Sequence, residues 1–72
     1  MLEKVLLRWV WYLRTYRDVL RMGQALFSAA EDVWPEGLEG VRGKHLDPFY
    51  SDENIPAFLL HLEEREKEMM QS

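Results

Sequence analysis

His61 and Glu64 lie three residues apart near the end of the chain. On a helix that spacing puts an imidazole and a carboxylate on one face, where two metal ligands can sit. The order is the reverse of the Glu-x-x-His pairs of carboxylate-bridged dimetal bundles. One other histidine, His45, is present, and there is no cysteine to supply a thiolate. No second inward carboxylate stands at a matching spacing. The expectation is therefore that neither a metal nor a cofactor is bound. His61 then reads as a hydrogen-bonded side chain at the edge of an apolar face, and His45 as a loop residue.

Nucleophilic and phosphate chemistry find little support. Ser28, Ser51 and Ser72 are the serines, and none stands within Gly-x-Ser-x-Gly. The stretch "GLEGVRGK" at 37–44 is glycine-rich, yet it lacks the phosphate-loop spacing and is followed by histidine instead of serine or threonine. Asp47, Asp52 and Glu53 do not follow the order of an EF-hand loop. No two carboxylates are spaced to share an apolar pocket, as acid–base catalysis prefers. The sequence predicts a protein that is not an enzyme and takes no small-molecule substrate.

The arginines are more informative. Residues 1–27 carry Lys4, Arg8, Arg14, Arg17 and Arg21 against Glu3 and Asp18, a net charge of +3. The remainder carries four basic and eleven acidic residues, a net charge of −7. A basic edge of Arg14, Arg17 and Arg21 beside Trp and Tyr is one way to grip phosphates or a membrane surface. The acidic remainder would repel a polyanion. Ion pairing within the chain is the preferred reading: Asp18 reaches Arg14 and Arg21 on its own helix, and Glu63, Glu64 and Glu66 come towards Arg17 and Arg21 from a returning second helix.

These side chains need helices to hold them. From Leu2 to Trp34, apolar or small residues recur in alternating steps of four and three: Leu2, Leu6, Trp9, Leu13, Tyr16, Leu20, Gly23, Phe27, Ala30, Trp34. That is a heptad seam. Val5, Tyr12, Val19, Leu26 and Val33 widen it into a stripe suited to a bundle. The pattern predicts one helix over 2–34, about 50 Å long, stopped where Pro35 forces Trp34 out of the α region. Gly23 in the seam permits a bend or a close approach.

Residues 35–54 form a connection with turn signals at Asp47-Pro48 and "SDEN". Its apolar residues Leu38, Val41, Leu46, Phe49 and Tyr50 suit packing onto the helices, and a short helical turn is expected within it. A second helix follows over 55–71, roughly 24 Å long. It has Pro56 at its start, Asn54 or Asp52 as cap, and Ile55, Phe58, Leu59, Leu62 and Met69 on one face. The simplest assembly is all-α: an antiparallel helical hairpin of one long and one shorter helix, forming a single domain over 1–72.

A chain of 72 residues buries only about 60% of the surface it exposes when unfolded. Pairing with a second copy into a dimeric helical bundle, or with another protein, is therefore expected. Leu7 and Trp11 fall opposite the seam, four apart on one face, and Met22 and Leu60 also fall off their core faces. The stretch from Val5 to Leu13 is thus apolar nearly all round, as in a helix covered on more than one side. Trp and Arg are enriched where binding energy concentrates. Leu7, Arg8, Trp9, Trp11, Tyr12, Leu13 and Tyr16 are the candidate protein-interaction residues. The expected function is a small adaptor or regulatory subunit; the alternative is a peripheral membrane or nucleic-acid binder using the same basic, aromatic half. Arg8 and the arginines after Leu13 break any membrane span or secretory signal, so a cytoplasmic location is expected.

Overall fold

The computed structural model describes residues 1–41 and 46–71, the last by its backbone alone. Arg42, Gly43, Lys44 and His45, and with them the end of "GLEGVRGK" and the loop reading of His45, lie outside the described residues. Those described form three α-helices and no strand: α1 over Leu2–Thr15, α2 over Met22–Val33 and α3 over Ile55–Gln71. Short 3-10 turns occupy Pro35–Leu38 and Asp52–Asn54 within the connection.

The single helix expected over 2–34 is broken. Residues 16–21 form a turn, held by backbone bonds from the Val19 and Leu20 N–H groups to the Tyr16 carbonyl at 2.9 and 3.0 Å. Beyond it α2 folds back on α1. In an unbroken helix Arg8 and Asp32 would stand about 36 Å apart; here Arg8 Nε is 3.2 Å from Asp32 Oδ2. A straight rod would bury nothing of its own, whereas the fold-back encloses Val5 and Leu26 completely. That burial offsets the intrahelical hydrogen bonds lost at the turn.

The freed N–H groups of α2 find partners. The Arg21 N–H donates to Gln24 Oε1 at 3.0 Å, and the Gly23 N–H donates to Asp52 Oδ1 at 2.8 Å. The Asp52 carboxylate thus caps α2 from 29 residues away and places negative charge at its N-terminus. Arg21 Nη1 binds the same oxygen at 3.0 Å, and its Nη2 donates to the Phe49 carbonyl. Asn54 is committed elsewhere too, through Nδ2 to the Asp47 carbonyl at 2.9 Å.

These contacts also overturn the antiparallel hairpin of a long and a shorter helix. Asp52, just before α3, sits at the start of α2. Further along α3, His61 Nε2 donates to the Gly37 carbonyl at 3.1 Å and Arg65 Nη2 to the Glu36 carbonyl at 3.1 Å, both just beyond the end of α2. So α3 runs in the same sense as α2, and the connection, not a tight turn, makes the return. The true hairpin is α1 with α2. The core lies between all three helices and the first 3-10 turn: Val5 from α1, Leu26, Phe27 and Ala30 from α2, Trp34 and Leu38 after it, Phe58 and Leu62 from α3. The Trp34-Pro35 stop holds, with α2 ending at Val33 and Trp34 at φ −150°. Gly37 is required by packing, since a Cβ there would stand 2.9 Å from the Trp34 ring and 3.0 Å from Leu62 Cδ2. The Cα radius of gyration, 11.6 Å, is close to the ~11 Å of a compact chain of this length.

Candidate interaction surface on the first helix

The side of α1 that meets the core is set by Val5, with Leu2, Trp9 and Tyr12 packed beside it. This is a rotation from the seam read in the sequence, which put Leu6 and Tyr16 inside; both are exposed. Val19 is exposed because it lies in the turn. The outward face carries Leu6, Leu7, Val10 and Trp11, exposed to 37, 65, 45 and 42% of their full area. They form two adjacent rows, Leu6–Val10 and Leu7–Trp11, each of i,i+4 spacing. Glu3 precedes them in the first turn of α1 and Arg14 follows in the last.

The predicted interaction residues separate by environment. Leu7, Trp11 and Tyr16 are exposed, whereas Arg8, Trp9, Tyr12 and Leu13 are half-buried. Trp9 is turned inward, donating Nε1–H to the Met22 carbonyl at 3.0 Å. The pairing of two copies through the seam of Trp9 and its neighbours is thereby displaced, because that side of α1 packs against the chain's own α2. Sequence reasoning missed Val10 and the exposed Leu6. The available signal was the run Glu3, Leu7, Val10, Arg14, which keeps a four-three-four step of its own.

A polar network stiffens one flank of this face. The Arg8 guanidinium lies 4.1 Å from the Trp11 ring centroid and 5.5 Å from that of Tyr12. Asp32 Oδ2 accepts from Arg8 Nε and, at 2.5 Å, from the Tyr12 hydroxyl. Trp11 meets Tyr12 edge-on at 5.0 Å and Tyr16 at 5.9 Å. Cation–π and edge-to-face contacts of this kind are worth about 0.5–1.5 kcal/mol each. Together with the ion pair they restrict the rotamers of side chains that would otherwise lose entropy on binding.

The hydrogen bond to the Asp32 carboxylate, then burial and the Asp32 charge, push the Tyr12 phenol above its ordinary value of 10.0, while Arg8 opposes them. Because the folded value is raised, this contact's contribution is fully present below the unfolded value and is lost as pH rises through the folded one. A pH titration by NMR is expected to place the Tyr12 ring transition above 10, and Asp32→Asn to bring it down. A Tyr12 transition unmoved by Asp32→Asn would exclude the hydrogen bond as its cause.

The expected intrachain ion pairing is largely corrected. Arg21 pairs with Asp52, Glu63 with Lys67 at 3.2 Å, and Glu66 with the Met1 amino group. Among the described residues Arg14, Arg17, Asp18 and Glu64 make no ion pair. The cause is the direction of α3: its glutamates lie towards the far end of α2 and the start of α1, away from Arg17 and Arg21. Arg65 instead pairs with Glu39 at 3.3 Å.

Among the described residues no three His, Asp or Glu side chains converge to hold a metal, and no helix is long and apolar enough to cross a membrane. A depression of about 150 Å³ is lined by Phe27, Asp47, Phe49 and Tyr50. An open one of about 400 Å³ lies beside Glu31, Pro35, Leu38, Glu39 and Gly40. Comparison with protein-family models, with curated proteins and with solved structures gives no match to this chain.

Proposed function

We propose that this is a non-enzymatic protein–protein interaction module, a small adaptor or regulatory subunit that binds through the outward face of α1. The observation that carries this reading is the contiguous patch of Leu6, Leu7, Val10 and Trp11 on a helix whose opposite side is locked into the core. Single exposed apolar residues are ordinary, but four adjoining ones on a rigid helix mark a surface suited to being covered. A central Trp with an Arg laid across its ring adds the residue types that dominate interface energetics. Helix faces of this form bind grooves or other helices through i,i+3 and i,i+4 anchors.

Photo-cross-linking tests it. A benzophenone side chain introduced at Leu7 or Val10, in the cells that make the protein, is expected to give discrete protein adducts. The same group at Glu68, on the far part of α3, is the control. Equal cross-linking at α1 and at Glu68 would overturn the reading.

One observation favours a second reading, a membrane- or nucleic-acid-binding edge: Arg14 and Arg17 are exposed and lack ion-pair partners among the described residues. Flotation with anionic vesicles and a gel shift with DNA or RNA at low salt test it. Binding that Arg14→Glu with Arg17→Glu abolishes would support it, and no binding to either would remove it.

A further inference from the structure

Resting on the reading of the outward α1 face as an interaction surface, we infer that its partner is a second copy of the same chain, docked with the two α1 helices antiparallel. The inference comes from the order of charge and apolarity along the face. Glu3, Leu7, Val10 and Arg14 follow the four-three-four step of a helix–helix seam, flanked by Leu6 and Trp11. This set of six is symmetric about the midpoint between Arg8 and Trp9. Reversing the helix exchanges Glu3 with Arg14, Leu6 with Trp11, and Leu7 with Val10.

A two-fold axis through that midpoint therefore sets Leu7 against the partner's Val10, with the two copies of Leu6 side by side along one flank and the two copies of Trp11 along the other. At both ends Glu3 meets the partner's Arg14. An isologous interface requires a self-complementary patch of this kind. A groove on an unrelated protein requires no such symmetry.

The helix dipole alone favours an acidic first turn and a basic last turn. It does not place four exposed apolar side chains between them. Nor does it leave both charges without an ion pair among the described residues, and Glu3 and Arg14 are both exposed and unpaired there. Antiparallel docking also opposes the two helix dipoles favourably. The flank is compatible, because Asp32 already neutralises Arg8, which would otherwise face its own copy near the axis. The strip is about 17 Å long, below the size of a standard interface, so pairing is weak and concentration-dependent.

Sedimentation velocity on the full chain, from micromolar to several hundred micromolar, is the experiment, with circular dichroism to verify that each variant keeps its helices. The wild type is expected to shift from monomer to dimer. Glu3→Arg, or Arg14→Glu, turns two attractive end contacts into two repulsive ones and is expected to weaken dimerisation roughly tenfold. The double variant Glu3→Arg with Arg14→Glu re-forms both pairs in swapped order and is expected to recover to within about threefold. Leu7→Asp is expected to abolish the dimer.

A dimer lost on Leu7→Asp but indifferent to the charge reversals would overturn the antiparallel register. A monomer at every concentration would overturn self-pairing. In that case cross-links from Leu7 to a different protein still uphold the interaction surface, whereas no cross-links at all remove both.

Discussion

Gly23→Ala is expected to destabilise the protein by about 2–3 kcal/mol, although the same change in an ordinary exposed helix would stabilise by up to ~1 kcal/mol. A Cβ built on Gly23 would stand 2.1 Å from the Pro48 carbonyl oxygen, 2.7 Å from Asp52 Oδ1 and 3.0 Å from the Pro48 carbonyl carbon. Two of these atoms are backbone, so no side-chain rotation relieves the overlap. The segment must move off the start of α2. That strains the Asp52 cap on the Gly23 N–H and the Arg21 bonds to Asp52 and Phe49. A chain of this size has a total stability of about 4–11 kcal/mol, so the loss is a large fraction of it. Urea denaturation followed by circular dichroism measures the effect. A midpoint at or above that of the wild type would show that Pro48 does not lie against α2. Asp52→Ala serves as a milder companion, removing the cap on the Gly23 N–H together with the exposed Arg21 ion pair at about 1–2 kcal/mol.

The same contact explains where sequence reasoning stopped. The heptad steps from Leu2 to Trp34 run through residues 16–21 without a break, because two helices folded on each other show the same period as one long helix. Periodicity reports which residues are apolar and says nothing of whether the chain between them turns. No proline or glycine marks Tyr16–Arg21. The features that fix the turn, Asp52 on Gly23 and the close approach of Pro48, come from 25 or more residues along the chain. What was legible is what local chemistry dictates: the helical class, the stop at Trp34-Pro35, and the buried Phe58 and Leu62 with Leu60 turned outward. Once the turn was missed, the direction of α3 and the partners of the arginines were misplaced with it.

The proposed interaction face was half legible for a related reason. Leu7 and Trp11 stand out as surplus to any single seam. Leu6 does not, because the seam drawn through a continuous helix claimed it, and the fold-back rotates α1 so that Val5 faces inward instead. Asp32, which holds both Arg8 and Tyr12, is 24 and 20 residues away from them and leaves no local trace. The network that stiffens the face is therefore a product of the α1–α2 hairpin. The proposed binding through α1 therefore requires α2 to be docked, which couples it to the integrity of the core.

That coupling makes the tryptophans separable by experiment. Trp34 is 2% exposed, enclosed by core residues of all three helices. Trp34→Ala removes the largest core side chain and is expected to cost about 3–5 kcal/mol, a large share of the chain's total stability, so that it melts far earlier than the wild type. Binding through α1 would be lost with the fold, because Asp32 would no longer orient Arg8 and Tyr12. Trp11→Ala acts on the other link. It forfeits the Arg8 contact and two edge-on ring contacts, and gains the helix preference of alanine, so its effect on stability is expected to stay within about 1 kcal/mol. Its effect on association is expected to be far larger, since it removes the widest side chain of the exposed patch. Thermal melts paired with sedimentation of both variants resolve the two roles. A Trp11→Ala protein that melts as early as Trp34→Ala would assign Trp11 to the core. One that keeps both its stability and its association would remove Trp11 from the interface.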